Sequence, residues 1–148
     1  MSTIPEGIPA RGPSIRLLPR LDRDNRFFWT SGADGRLRFL RCQECRSFVH
    51  PPAPRCPECL SSELSPEVVS GRATVVACTC NVQQWIPGSE PYLIGWVAID
   101  EDERVRLLTN LVDVAVEDVE AGMPVEVVFE EQEDVFLPLF RPARGGAG

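Results

Sequence analysis

The sequence predicts a mainly β protein in three parts: a short N-terminal helix, a zinc ribbon and a five-stranded OB-fold barrel. Three observations support this. Residues 42–59 contain two C-x2-C pairs separated by ten residues. Residues 67–142 hold five short strand-like runs divided by turn signals. A connector falls between the third and fourth runs, which is the outline of an OB-fold. The expected division is 1–14 flexible arm or linker, 15–41 N-terminal helix and strand, 42–63 zinc ribbon, 64–142 OB-fold and 143–148 disordered tail.

Residues 1–14 carry three prolines and two glycines without periodicity, the composition of a linker. Between Leu21 and Gly32, Asp22 or Asp24 is placed to cap a short helix and Gly32 to end it. Phe27, Phe28 and Trp29 follow one another, and adjacent helical positions point about 100° apart. At least one ring therefore needs a second surface, either the ribbon or a partner subunit. Asp34-Gly35 turns into Arg36–Arg41, with Leu37 and Phe39 on one face and Arg36 and Arg38 on the other. That basic face suits the phosphates of an anionic ligand such as coenzyme A, or pairing with acids in solvent.

Two residues between thiols allow one tight turn to aim both sulfurs at a common centre. Cys42, Cys45, Cys56 and Cys59 thus complete a tetrahedral thiolate set for Zn2+. No position is left for an activated water, so the metal is expected to be structural. Iron accepts the same ligands and stays open on spacing alone. His50, the only histidine, precedes Pro51-Pro52 and reads as loop structure outside the ligand set.

Beyond Glu67, residues 67–80 read as one long β segment bent near Gly71. Cys78 and Cys80 share a face with Val76 on this reading, as small buried residues. Residues 81–91 form a loop holding Trp85. Strands follow at 92–99 and 105–111 around an acidic turn at 100–103. A connector at 116–119 and strands at 125–130 and 136–140 complete the set.

The net charge is −7 over 148 residues, with no lysine. Residues 1–63 have ten arginines against seven acids, and residues 64–148 have five against fifteen. The strongly acidic second half disfavours nucleic acid, although a nucleic-acid-binding ribbon and OB protein is the alternative function. No apolar run reaches the length of a membrane span. The first residues lack the basic and apolar regions of a signal peptide, so a cytoplasmic location is expected, where thiols stay reduced. One histidine, no lysine, no phosphate loop and no nucleophile elbow leave little for catalysis by the chain alone.

An ordered set of short features then points to a family. Phe28-Trp29, Gly35 with Leu37, Arg41-Cys42 with Cys45, Pro51-Pro52, Cys56-Pro57 with Cys59, and Ser70-Gly71 come first. Pro91-Tyr92, the strand end Val97 to Asp100, Gly122-Met123 with Val125, and Phe136 with Pro138 follow. Over residues 15–142 the chain resembles the acyl-CoA-associated family that joins a rubredoxin-like zinc ribbon to an OB-fold. One departure is Arg46, where that family has glycine after the second ligand. The resemblance implies a non-catalytic accessory subunit or domain of a thiolase-superfamily or lipid-transfer-protein-like enzyme. It would help assemble that enzyme or form its acyl-CoA channel. Relatives of this kind also accompany MaoC-like hydratases and a retro-aldolase of bacterial steroid side-chain degradation, a branch of lipid metabolism. The implied site residues are the four cysteines for zinc, Arg36 and Arg38 for CoA phosphates, and Phe27, Phe28, Trp29 and Trp85 for the partner. A CoA thioester shared with that partner is the implied ligand.

Overall fold

The structure, a computed structural model, describes residues 16–144. The expected linker at 1–14 and residues 145–148 of the expected tail lie outside the described residues.

Asp22 organises the entry to the helix. Its Oδ1 accepts from the backbone N–H groups of Asp24 and Asn25, both at 2.8 Å, and its carbonyl accepts from Arg26 at 3.1 Å. Helix α1 (Arg26–Trp29) is a single turn with Asn25 at its N-cap. Gly32 does not end it, contrary to the sequence expectation. The chain passes into a 3₁₀ turn over Ser31–Asp34, and Gly35, at φ 77°, is the left-handed cap. Gly32 is instead a contact glycine: a β-carbon there would overlap the Phe129 ring and approach Phe136 Cβ to 2.7 Å.

The ribbon sheet has the order β2-β1-β3, from β1 (Arg38–Cys42), β2 (Phe48–Val49) and β3 (Leu64–Val68). The expected single strand over 67–80 is thus two strands in two sheets. β3 pairs antiparallel with β1, whereas β4 (Arg72–Asn81) opens the barrel. Gly71 sits at the switch with φ 80°, and a β-carbon there would lie 2.7 Å from Val127 Cγ1. Both the backbone sign and the close approach call for glycine.

The remaining strands are β5 (Tyr92–Ile99), β6 (Asp102–Leu111), β7 (Pro124–Gln132) and β8 (Val135–Pro142). They close in the order β4-β5-β6-β8-β7, with β6 and β8 parallel at Leu111 and Phe140. The expected connector is a 3₁₀ turn at Val116–Asp118 that carries the chain across to β7, which pairs with β4 and removes the sheet edges. A register shift between Val75 and Ala77 changes the expected facing of β4. Val76 lines the outer surface with Thr74, while Cys80 packs on the core. Cys78 is exposed and Cys80 half-buried, so the two are not a buried pair.

One core unites the parts. Phe28, Leu37 and Phe39 from the N-terminal segment pack in the same cluster as Val97, Leu111 and Phe140 of the barrel. Leu18, Leu21 and Trp29 cover a second cluster of Val112, Val135, Leu137 and Leu139. Arg16 fastens this strap, with Nε on Glu130 Oε2 and Nη1 on Asn110 Oδ1, each at 2.6 Å.

Candidate metal centre and its surroundings

The two knuckles are built alike. Cys42 N–H donates to the Ser47 carbonyl at 2.9 Å, and Cys56 N–H donates to the Ser61 carbonyl at 2.9 Å. Each turn closes when the residue four positions on donates back: Arg46 to the Cys42 carbonyl at 3.1 Å, Leu60 to the Cys56 carbonyl at 2.8 Å. Both closing residues are left-handed, Arg46 at φ 66° and Leu60 at φ 65°. Glycine adopts that conformation without strain, which explains its preference at this position in the family the sequence resembles. At Arg46 the strain is offset by side-chain bonds to Gln43 Oε1 and Glu67 Oε1, each 3.1 Å. Glu67 is also held by Arg41 at 2.9 Å, and both arginines keep its carboxyl below the usual range, Arg41 more than Arg46. The Arg41 guanidinium lies 4.5 Å from the Phe48 ring centroid.

The four sulfurs lie within 4.8 Å of one another, with Cys42 and Cys56 buried and Cys45 and Cys59 exposed. Cys42 and Cys59 Sγ are 3.5 Å apart, and Cys45 and Cys56 Sγ are 3.6 Å apart. Zinc–thiolate bonds of about 2.3 Å arranged tetrahedrally give sulfur–sulfur edges of roughly 3.8 Å. The sulfurs are thus spaced as a tetrathiolate ligand set and too far apart for disulfides. The quartet is also electrostatically uneven. Hydrogen bonds from Ser47, side chain first and then backbone, hold Cys45 down to about 6. A backbone bond from Ser61 favours the Cys59 thiolate, but Cys42, desolvation, Cys45 and Cys56 outweigh it and push the thiol up to about 12. Four thiolates this close need a cation between them, and Zn2+ supplies that charge as a cross-link with no open position.

His50 fills the space beneath the ribbon, between Phe28 (ring centroids 5.1 Å apart) and Phe39 (5.0 Å, edge-on). Burial drives its pKa down to about 4. The neutral ring therefore belongs to the folded state, while an unfolded chain protonates it near its ordinary value of 6.5. The unfolded state binds more protons between those values, so stability falls as pH drops from about 6.5 towards 4. The expected slope is up to about 1.4 kcal/mol per pH unit, levelling below 4. Urea titrations of zinc-loaded protein should show His50→Leu with a flatter profile than wild type over this window. Parallel profiles would mean that the half-buried imidazole does not set this pH dependence.

The other candidate residues fall into distinct places. Phe28 is 2% exposed and stacks edge-on with Trp29 at 4.9 Å, so it is a core residue and not a free partner contact. Phe27 and Trp29 are half-buried against the core clusters. Arg38 is already engaged: Nη1 and Nη2 reach Asp34 Oδ1 and Oδ2 at 2.9 and 2.6 Å, and Nη1 reaches the Ser31 carbonyl at 3.2 Å. That pairing keeps the Asp34 carboxyl down at about 2. Arg36 is exposed. Trp85, at 77% exposure, stands in the β4–β5 loop far along the chain from the metal. The structure adds Trp96 and Leu108, exposed partners across β5 and β6, which strand alternation gave no reason to single out as a surface patch.

Comparisons with known proteins agree with this architecture. Residues 29–65 match the family model described as "ChsH2, rubredoxin-like zinc ribbon domain", and residues 67–130 match "ChsH2, C-terminal OB-fold domain". A chain of the solved structure described as "Ltp2-ChsH2(DUF35) aldolase" is 35% identical, with a TM-score of 0.76 over 84% of this chain and 98% of that one. A curated protein of Thermomonospora curvata, described as "Probable enoyl-CoA hydratase alpha subunit", is 35% identical over 132 residues, 88% of this chain. The chain spans 41% of that relative's length.

Proposed function

The chain belongs to the ChsH2 family of zinc-ribbon and OB-fold proteins, and on that premise we propose that it is a non-catalytic accessory subunit of a thiolase-like acyl-CoA enzyme. The supporting observation is its 35% identity across 98% of a chain in an Ltp2-ChsH2(DUF35) aldolase. In this reading the partner is an Ltp2-like, thiolase-superfamily subunit, and the reaction is retro-aldol cleavage of a CoA thioester. The chain helps assemble that enzyme and forms part of its acyl-CoA channel. A hydratase chain of the MaoC-like type is a further associate, suggested by the name of the Thermomonospora relative. The steroid acyl group is the finest level of this assignment and comes from the family resemblance.

The chemistry of the chain is consistent with an accessory role. All four metal positions are taken by cysteine, and the only histidine is packed between two rings and held neutral. Of the two arginines considered for CoA, Arg36 is open to a phosphate, whereas Arg38 would first have to release Asp34.

The test is to assay the Ltp2-like subunit encoded in the same genome, alone and co-expressed with this chain, on a β-hydroxyacyl-CoA thioester. Cleavage to a shorter acyl-CoA should require both proteins. A partner that is equally soluble and equally active without this chain would refute the proposal.

A further inference from the structure

Charge is distributed in an unusual way along the first half of the barrel. Between Arg72 and Asp100 the only charged residue is Glu90, in a chain that is 25% charged. Burial does not account for this gap. Trp85 is 77% exposed and Trp96 45%, with Val82 and Ile86 also exposed in the loop that joins β4 to β5. The stretch is a β-hairpin, β4 to β5, and its outward positions form a continuous surface. Ala77 pairs with Trp96 and Thr79 with Ile94 across the hairpin, and Trp96 pairs with Leu108 of β6. Two adjoining clefts of about 490 and 180 Å³ share Trp96 and Leu108 as a common wall. The larger is bounded by His50 and Pro51 of the ribbon and by Arg104 and Arg106.

The two apolar sides of the barrel are treated differently. The chain covers the β7–β8 side with its own strap, Leu18, Leu21 and Trp29. Among the described residues, none covers the β4–β5–β6 side in the same way. A protein-binding surface is distinguished by loss of charge at its centre, by aromatic anchors and by charges kept to the rim. This face has all three, with Trp85 as the most exposed ring and, at one edge, Arg106 beside Arg104, whose guanidinium is paired with Asp102. Its complement is an uncharged apolar patch with a pocket for an indole and a carboxylate beside it, opposite Arg106.

We propose that the outer face of β4–β5–β6, together with loop 82–91, docks the thiolase-like subunit, with Trp85 as its anchor. The inference rests on the accessory-subunit reading above. It moves the main contact from the Phe27–Trp29 segment, whose central ring is core, to the far hairpin of the barrel.

The experiment titrates the full zinc-loaded chain against the Ltp2-like subunit from the same genome, by calorimetry or interferometry. Trp85→Ala and Trp96→Ala are compared with Leu17→Ala, a fully exposed residue of the N-terminal strap, outside this face and away from the metal ligands. Trp85→Ala should weaken binding by a factor on the order of thirty or more, as expected for a central aromatic anchor. Trp96→Ala should weaken it by roughly tenfold, and Leu17→Ala should leave it unchanged. Thermal melts of the Trp85→Ala chain should match wild type, because the side chain is outside the core. If the wild-type chain binds and both tryptophan variants bind equally well, the face is wrong while the accessory reading stands. If the wild-type chain does not bind at all, both fall. Concentration-dependent self-association that is lost in Trp85→Ala, without binding to the thiolase-like subunit, would assign the face to a second copy and overturn the proposal.

Discussion

Replacing Cys56 by serine should abolish metal binding and unfold the ribbon. Cys56 is fully buried, its sulfur lies 3.6 Å from that of Cys45, and its carbonyl closes the second knuckle through Leu60. A serine hydroxyl is not a thiolate at neutral pH, and three remaining sulfurs leave one corner of the tetrahedron open. The ribbon's own buried cluster is small: Leu40, Cys42, Val49 and Cys56, with a few half-buried neighbours. Structural zinc contributes apparent binding energies of about 10–16 kcal/mol in small metal modules. That matches or exceeds the whole stability of a typical domain, about 5–15 kcal/mol. The ribbon's fold therefore depends on the metal. The barrel should also be weakened, because Leu37 and Phe39, the lead-in and second residue of the ribbon sheet, belong to the barrel's core cluster. Zinc content by plasma mass spectrometry should fall from one per chain to background, with loss of near-ultraviolet circular dichroism. A serine variant that keeps one zinc and full solubility would disprove the tetrathiolate centre.

Phe28→Ala should be the most damaging substitution outside the metal site. The ring is 2% exposed and touches Trp29, Phe39 and His50, with centroids 4.9, 5.8 and 5.1 Å away. It stands where α1, the ribbon and the barrel meet, so few neighbours can move in to fill the hole. Truncating a buried phenylalanine costs about 3–5 kcal/mol, which for a chain of this size corresponds to a melting point lower by roughly 10–20 °C. Phe28→Leu should recover part of the loss. Differential scanning calorimetry measures it directly. A melting point unchanged in Phe28→Ala, with partner binding lost, would restore this ring to the docking role the bare sequence allowed.

The metal centre was legible because its geometry is local. Two C-x2-C turns fix where four sulfurs point, whatever the rest of the chain does. The barrel was legible from strand order, since a connector after the third strand leaves few ways to close a five-stranded sheet. Long-range partners were not legible. Residues 67–80 read as continuous β structure, and only the pairing of β3 with β1 and of β4 with β5 shows that the sheet changes at Gly71. The bulge at Val75–Ala77 puts Val76 and Cys80 on opposite faces, and period-two alternation carries no sign of it. Three aromatics in a row show that their surroundings differ, but the ring that goes inside is chosen by Phe39 and His50, which are distant in sequence. The pairing of Arg38 with Asp34 was within reach, because the two stand four residues apart across a turn. The uncharged run from Ala73 to Ser89 was equally visible. Its meaning depends on exposure, and that required the fold.

The proposed function makes this zinc-scaffolded chain a bound subunit. Its most direct test is the light-scattering mass, with zinc content, of the co-expressed mixture with the Ltp2-like protein after gel filtration. The claim predicts one co-eluting species heavier than the thiolase-like subunit's own assembly by whole multiples of 16.4 kDa, with one zinc per added chain. A zinc-loaded chain that elutes alone beside an unchanged thiolase-like protein would contradict it.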